Sequence, residues 1–173
     1  MYLKKIIFLL SFVLFLQTPL NADIPHFLDF KLILNSSDAG KKAQDFLKKK
    51  LNNGIKNISN KEKKILEEEK KIIEQKKIIS VDEYKKKVSE LRKKVSSLQK
   101  ERKNLLESVA KQRQKARNVL LKNLNPIVKD YMVEKKILMV LDKKNLLLAD
   151  DSLDITKDIM SLLNKKLKSI ELN

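Results

Sequence analysis

The sequence predicts a mainly α fold with a small β base: a long antiparallel coiled-coil hairpin arm on a compact strand-plus-helix association body. Three observations predict it. Only 2 Gly and 3 Pro occur in 173 residues, too few for a loop-rich or all-β fold. Charged residues make up 35% and apolar residues 42%, a balance that suits long amphipathic helices better than a polar coil. Apolar residues in the second half then recur in strict 4-3 alternation, which is the mark of a coiled-coil seam.

The first 22 residues read as a cleavable signal peptide. Lys4 and Lys5 give a positive start, Ile6 to Leu16 is an apolar run of secretory length, and "TPLNA" leads to the small residue Ala22. The run is shorter than the roughly 18–20 residues that a membrane span needs. Cleavage after Ala22 leaves a mature chain from Asp23 with 37 basic and 22 acidic residues, a net charge of +15.

In the mature chain, "DIPHFLDF" (Asp23 to Phe30) is the first candidate strand, with Pro25 at its start or on an edge, where a missing N–H does no harm. Ser36, Ser37 and Asp38 are N-cap types and open the ascending helix. Ala43, Leu47, Leu51, Ile55, Ile58, Ile65 or Leu66, and Ile72 or Ile73 give it a stripe of roughly 3–4 spacing. "NNG" (Asn52 to Gly54) interrupts that stripe, since mid-helix Gly costs about 1 kcal/mol relative to Ala. It reads either as a kink or as a hinge that lets the arm flex.

The hairpin turns within Ile78 to Val88. Ser80 and Glu83 form an S-x-x-E capping box, so a new helix starts near Val81. Tyr84, Val88, Leu91, Val95, Leu98, Arg102, Leu105, Val109, Gln112, Ala116 and Val119 form the seam of that descending helix. The polar members Arg102 and Gln112 are of the kind that fixes register. Pro126 is expected to kink the helix or loosen its last turns. At 1.5 Å per residue, about 40 residues per helix make an arm of roughly 60 Å.

After the arm, "KILMVL", "DKKN" and "LLLA" read as two strands and a tight connection, with both faces of the strands covered. The last helix carries the stripe Ile155, Ile159, Leu162, Leu163 and Leu167, with Asp154 or Thr156 as its N-cap. Three strands and one helix make a small core, whose expected completion is other copies of the chain. The organisation is therefore 1–22 signal peptide, 23–40 and 137–173 association body, and 41–136 arm with its tip near 78–84.

Charge follows this division. Residues 41–136 hold 30 basic and 13 acidic side chains, whereas the rest of the mature chain holds 7 and 9. A basic arm on a near-neutral base suits attraction of acidic partners. Nucleic acid is not expected as a partner: the chain reads as exported, and Arg92, Arg102, Arg113 and Arg117 are its only arginines. With no Cys, disulfides, thiolate metal sites and a cysteine nucleophile are excluded. His26 is the single histidine, and no phosphate loop, G-x-S-x-G or metal-spaced cluster occurs. The chain reads as a non-enzyme without cofactor or metal.

"FLDFKLILNSSDAGKKAQDFLKKKL" has a strand ending at Asp29, a short helix, and Ser37, Ala39, Gly40, Lys41, Lys42 and Ala43 in an S-x-A-G-K-K-A pattern. "ILMVLD" and "NLLLADDSLDIT" carry a strand pair and a D-I-T signature at Asp154, Ile155 and Thr156, and "LNPIVKDYMVEKKI" leads into them. In these features the chain resembles the Skp/OmpH family of periplasmic chaperones. The resemblance implies a trimeric, jellyfish-like assembly in which arms surround a cavity and hold unfolded outer-membrane proteins without ATP.

On that footing Phe27, Leu28, Ile137, Met139, Leu141, Leu146 and Leu148 are the candidate trimerisation residues. Ile78, Ile79, Val81 and Tyr84, flanked by Lys76, Lys77, Lys85, Lys86 and Lys87, are candidates for contact with clients or with anionic lipid or lipopolysaccharide. Packing across the turn is the competing reading of the four apolar tip residues. The rival functional classes are a coiled-coil envelope spacer or adaptor and a lipid-binding module.

Overall fold

The computed structural model describes residues 24–172. The expected signal peptide and the mature start at Asp23 lie outside the described residues. The elements run β1 (His26–Leu28), α1 (Phe30–Ser36), α2 (Asp38–Gln75), α3 (Val81–Lys135), β2 (Val140–Asp142) and α4 (Thr156–Lys166).

The first strand is shorter than the sequence suggests because Asp29 starts a helix. Its carboxylate accepts the Leu32 N–H at 2.7 Å and caps α1. Ser37 then ends α1 and begins α2: its N–H donates to the Ile33 carbonyl, and its hydroxyl accepts from the Gly40 N–H at 3.2 Å. Gly40 is required there, since a Cβ would strike the Leu34 backbone carbonyl.

α2 and α3 pack as the expected antiparallel pair. α2 has 38 residues, which is about 57 Å of helix. α2 is continuous through Asn52 to Gly54, so the expected interruption is absent. Gly54 instead lets the helices approach, because Leu105 occupies the space a Cβ would need. α3, with 55 residues, is longer and runs through Pro126 into the body. The residue left without its helical N–H partner is Lys122, which is exposed, so water can satisfy its carbonyl. α3 ends at Lys136, the only non-glycine residue with positive φ (55°) among those described.

The body core joins Leu28, Ile33, Ala39, Leu120, Leu124, Ile127, Ile137, Ile155, Ile159 and Leu163. Ile33, Ile159 and Leu163 are fully buried, and each such side chain contributes about 1.5–3 kcal/mol. A second cluster at the arm root holds Ala43, Leu47, Val109, Ala116 and Leu172.

The expected strand hairpin is corrected. β2 pairs in parallel with β1 (His26 with Val140, Phe27 with Leu141, Leu28 with Asp142), not with "LLLA". "DKKN" lacks the Asn-Gly or Asp-Gly pair that tight hairpins favour. It forms a single 3-10 turn (Lys143–Asn145), in which the Asp142 carboxylate accepts the Lys144 N–H at 3.2 Å. Leu146 to Ala149 continues without regular structure. The third backbone partner is Asp154, which bridges Phe27 in parallel, and the Ile155 N–H donates to the Phe27 carbonyl at 2.9 Å. The last helix has Ile155 at its N-cap position, not Asp154 or Thr156, and the Asp154 carboxylate takes the N–H of Thr156 at 2.9 Å.

Candidate functional site

Three regions hold the candidate contact residues or exposed apolar side chains: the arm tip, the seam along the arm, and the sheet end of the body. At the tip, Ile78 and Ile79 donate their N–H groups to the Gln75 carbonyl, and Ser80 caps α3 by accepting the Glu83 N–H at 3.2 Å. This tight reversal leaves Ile78 83% and Val81 70% exposed, while Ile79 and Tyr84 are half-buried. The Lys76 ammonium lies 5.8 Å from the centre of the Tyr84 ring. Lys87 donates to Gln75 at 3.2 Å and pairs with Glu83 at 3.8 Å. Lys77, Lys85 and Lys86 are exposed. The tip is thus an apolar point of two residues ringed by ammonium groups.

Along the arm the seam is uneven. Val109 and Ala116 near the root and Ile58 and Ile72 farther out are buried, but a cavity of about 650 Å³ lies at the root beside Ala43, Leu47 and Ala116. A smaller one of about 320 Å³, lined by Glu62, Ile65, Leu66, Val95, Leu98, Gln99 and Arg102, opens along the arm. Leu66 and Val95 are exposed there. Ion pairs across the hairpin clasp this stretch: Lys61 with Glu101 at 2.7 Å, Glu62 with Arg102 at 2.5 Å and Glu68 with Lys94 at 2.7 Å. Arg102 therefore works as a rim clasp. The seam position Gln112 accepts from the Lys50 ammonium at 2.9 Å and donates to the Leu172 carbonyl.

In the body, Phe27, Leu28 and Ile137 lie inside the core of their own chain. Leu141 and Leu146 are half-buried, and Met139 and Leu148 are exposed. Leu138, Leu147 and Val133, which the sequence reading did not single out, are also exposed, Leu147 at 97% and Leu148 at 91%. The unbroken apolar runs were the available signal for Leu138 and Leu147. The first run reads as a strand covered on both faces, but the strand spans only Val140–Asp142, so Leu138 and Met139 before it are left uncovered within the chain.

Charge in the body is locally tuned. The Tyr131 hydroxyl donates to Asp158 at 2.6 Å, and this bond, with partial burial and the nearby carboxylates, pushes the phenol up to about 12. Burial works to raise the Asp154 carboxyl, but hydrogen bonds from Thr156 and the Lys143 ammonium outweigh it and hold the group below its usual range. Among the described residues no cluster of His, Asp or Glu is arranged to hold a metal ion, and no helix is long and apolar enough to cross a membrane.

A parallel strand pair, a buried D-I-T segment and an arm rooted at the Ser37–Gly40 turn together define a specific architecture. The model of the OmpH-like outer membrane protein family matches residues 26–163, from the first residue of β1 into α4. The chain belongs to the OmpH-like family. Its fold is also that of a crystal structure of a proposed outer membrane chaperone (OmpH-like) from Caulobacter crescentus CB15. The two superpose with a TM-score of 0.78 at 21% identity, over 86% of this chain and 89% of that one. No curated protein matches in sequence. For an OmpH-like chain the matched region includes the whole arm and most of the body.

Proposed function

We propose that this OmpH-like protein is an ATP-independent holdase chaperone of the periplasm, which captures unfolded outer-membrane proteins between basic arms of a homotrimer. The observation that carries the reading is the arm itself. It is a long basic hairpin whose seam opens into an apolar groove rimmed by charged side chains, and it stands on a body that leaves Leu138, Met139, Leu147 and Leu148 exposed. A body of this kind suits association with further copies. Diffuse positive charge draws acidic unfolded chains in, and many weak contacts then keep their strands from pairing.

The test is dilution of a urea-unfolded outer-membrane β-barrel protein into buffer, with and without the chain from Asp23, followed by light scattering. The expected result is suppression of aggregation near three chains per client, weakened at high salt. Unchanged scattering from a folded preparation overturns the reading in favour of an envelope spacer.

A second reading, binding of anionic lipid or lipopolysaccharide, is supported by Ile78 and Val81 standing exposed among the tip lysines. Flotation with anionic but not with zwitterionic vesicles, lost in Ile78→Ser with Val81→Ser, is its expected signature. It is compatible with the holdase role.

A further inference from the structure

The segment after α4 does not continue along the body. Leu167 leaves the last helix in extended form, and the chain to Leu172, without regular structure, reaches the arm root. Six extended residues reach at most about 20 Å, enough to cross from the body core to the second turn of the arm. Contacts mark its whole path. The Lys168 ammonium pairs with Asp38, the first residue of α2, at 3.4 Å. The Asp38 N–H in turn donates to the Asn164 side chain of α4 at 2.8 Å. Ile170 packs against both the body core and the arm-root cluster, and is the residue of the tail that joins them. Leu172 is 3% exposed, seated with Ala43, Leu47, Val109 and Ala116 of α2 and α3. Its carbonyl accepts from the Gln112 amide, and Gln112 also accepts from Lys50 of α2.

We propose that residues 167–172 form a strap that fixes the angle between arm and body, and whose release frees the arm to swing. The physical argument is one of leverage. The tail closes a triangle whose other sides are α4 against the body and α2–α3 at the root. Ser37, at 0% exposure, joins α1 to α2. α3 runs unbroken from the arm into the body, so the arm can swing only by bending that helix, which Pro126 weakens at its body end, and a second attachment farther out along the arm resists such bending. The strap's hold on the arm is small, two apolar side chains (Ile170 and Leu172), one exposed ion pair and one polar bond, so it can open without unfolding either unit. The seam position Gln112 thereby gains a purpose beyond setting register: it reads whether the tail is docked.

The absence of cysteine makes the experiment direct, because two introduced thiols are the only ones to label. Lys85→Cys on the arm and Lys157→Cys on the body, both exposed, carry spin labels, diluted with unlabelled chain so that the distance measured lies within one molecule. The expected result is a distance distribution about twofold wider in Leu172→Asp than in the parent, with far-UV helix content unchanged. Gln112→Ala, which keeps the apolar contact, should widen it less. A distribution of parental width in folded Leu172→Asp overturns the strap. If Leu172→Asp does not fold, the pair Gln112→Ala and Ile170→Ala decides in its place, and parental widths in both overturn it equally.

Discussion

The backbone N–H of Asp29 donates to the hydroxyl of Thr156 at 2.7 Å, across 127 residues of sequence. Asp29 follows the strand and caps α1, and Thr156 begins α4, so one bond ties the start of α1 to the start of α4. Thr156 is 3% exposed, which makes the bond costly to break. Thr156→Val keeps the shape but leaves the Asp29 N–H without its acceptor. The expected loss is about 1–3 kcal/mol in urea denaturation. Thr156→Ser should recover most of it, because the acceptor is retained.

Two glycines offer a graded test of close packing. Ala in place of Gly gains about 1 kcal/mol of helix propensity, and overpacking costs about 1–3 kcal/mol. At Gly40 the new methyl meets the fixed carbonyl of Leu34, so the steric cost should win and the body should lose stability. At Gly54 it meets the side chain of Leu105, which can turn aside, so Gly54→Ala should be much milder. Equal melting shifts for the two variants would show that Leu105 is held as firmly as backbone.

Much of this architecture was legible in sequence. The capping box at Ser80 and Glu83 placed the turn correctly, because a side-chain cap acts over three residues and needs no tertiary context. The descending seam was legible for the same reason of local periodicity. What failed were contacts decided at long range. Gly54 has poor helix propensity, and only the approach of Leu105 from the other helix explains it. "ILMVLD" and "LLLA" suggested a hairpin because they adjoin, yet β2 takes as its partner a strand more than a hundred residues earlier. Among the candidate contact residues, Ile78 and Val81 were visible as apolar residues outside the seam. The exposure of Leu138 and Leu147, against the burial of Ile137, is a matter of tertiary packing that an unbroken apolar run does not specify.

Opposite pH limbs follow from two body residues. The Asp154 carboxyl is held below its usual range in the folded chain, so its contribution to stability is present above about pH 4 and is lost as pH falls through the depressed value. The melting-temperature gap between the parent and Asp154→Asn should therefore narrow on acidification. Tyr131 is raised to about 12, so its hydrogen bond to Asp158 stabilises the fold fully below about pH 10, and that stability is lost as pH rises through 12. The gap between the parent and Tyr131→Phe should be flat at neutral pH and should close on the alkaline side. A gap that stays open through pH 12 would show that the hydroxyl's hydrogen bond is not what Tyr131 contributes.

Exposed apolar residues at the end of the body separate folding from association. Leu147 and Leu148 are 97% and 91% exposed within the chain, so replacing them removes almost no contact from its own core. Phe27, Leu28 and Ile137 lie within that core, where a truncation to Ala costs about 2–5 kcal/mol. If copies of the chain associate through the sheet end, Leu147→Asp with Leu148→Asp should lower the mass measured by light scattering to that of one chain. Helix content should stay unchanged at concentrations where the parent is assembled. Ile137→Ala should instead lower the melting temperature first, with loss of mass only as a consequence. A parental mass in the double Asp variant would move the interface away from Leu147 and Leu148. Leu138, Met139 and Val133, which are also exposed, would then be the residues to substitute next.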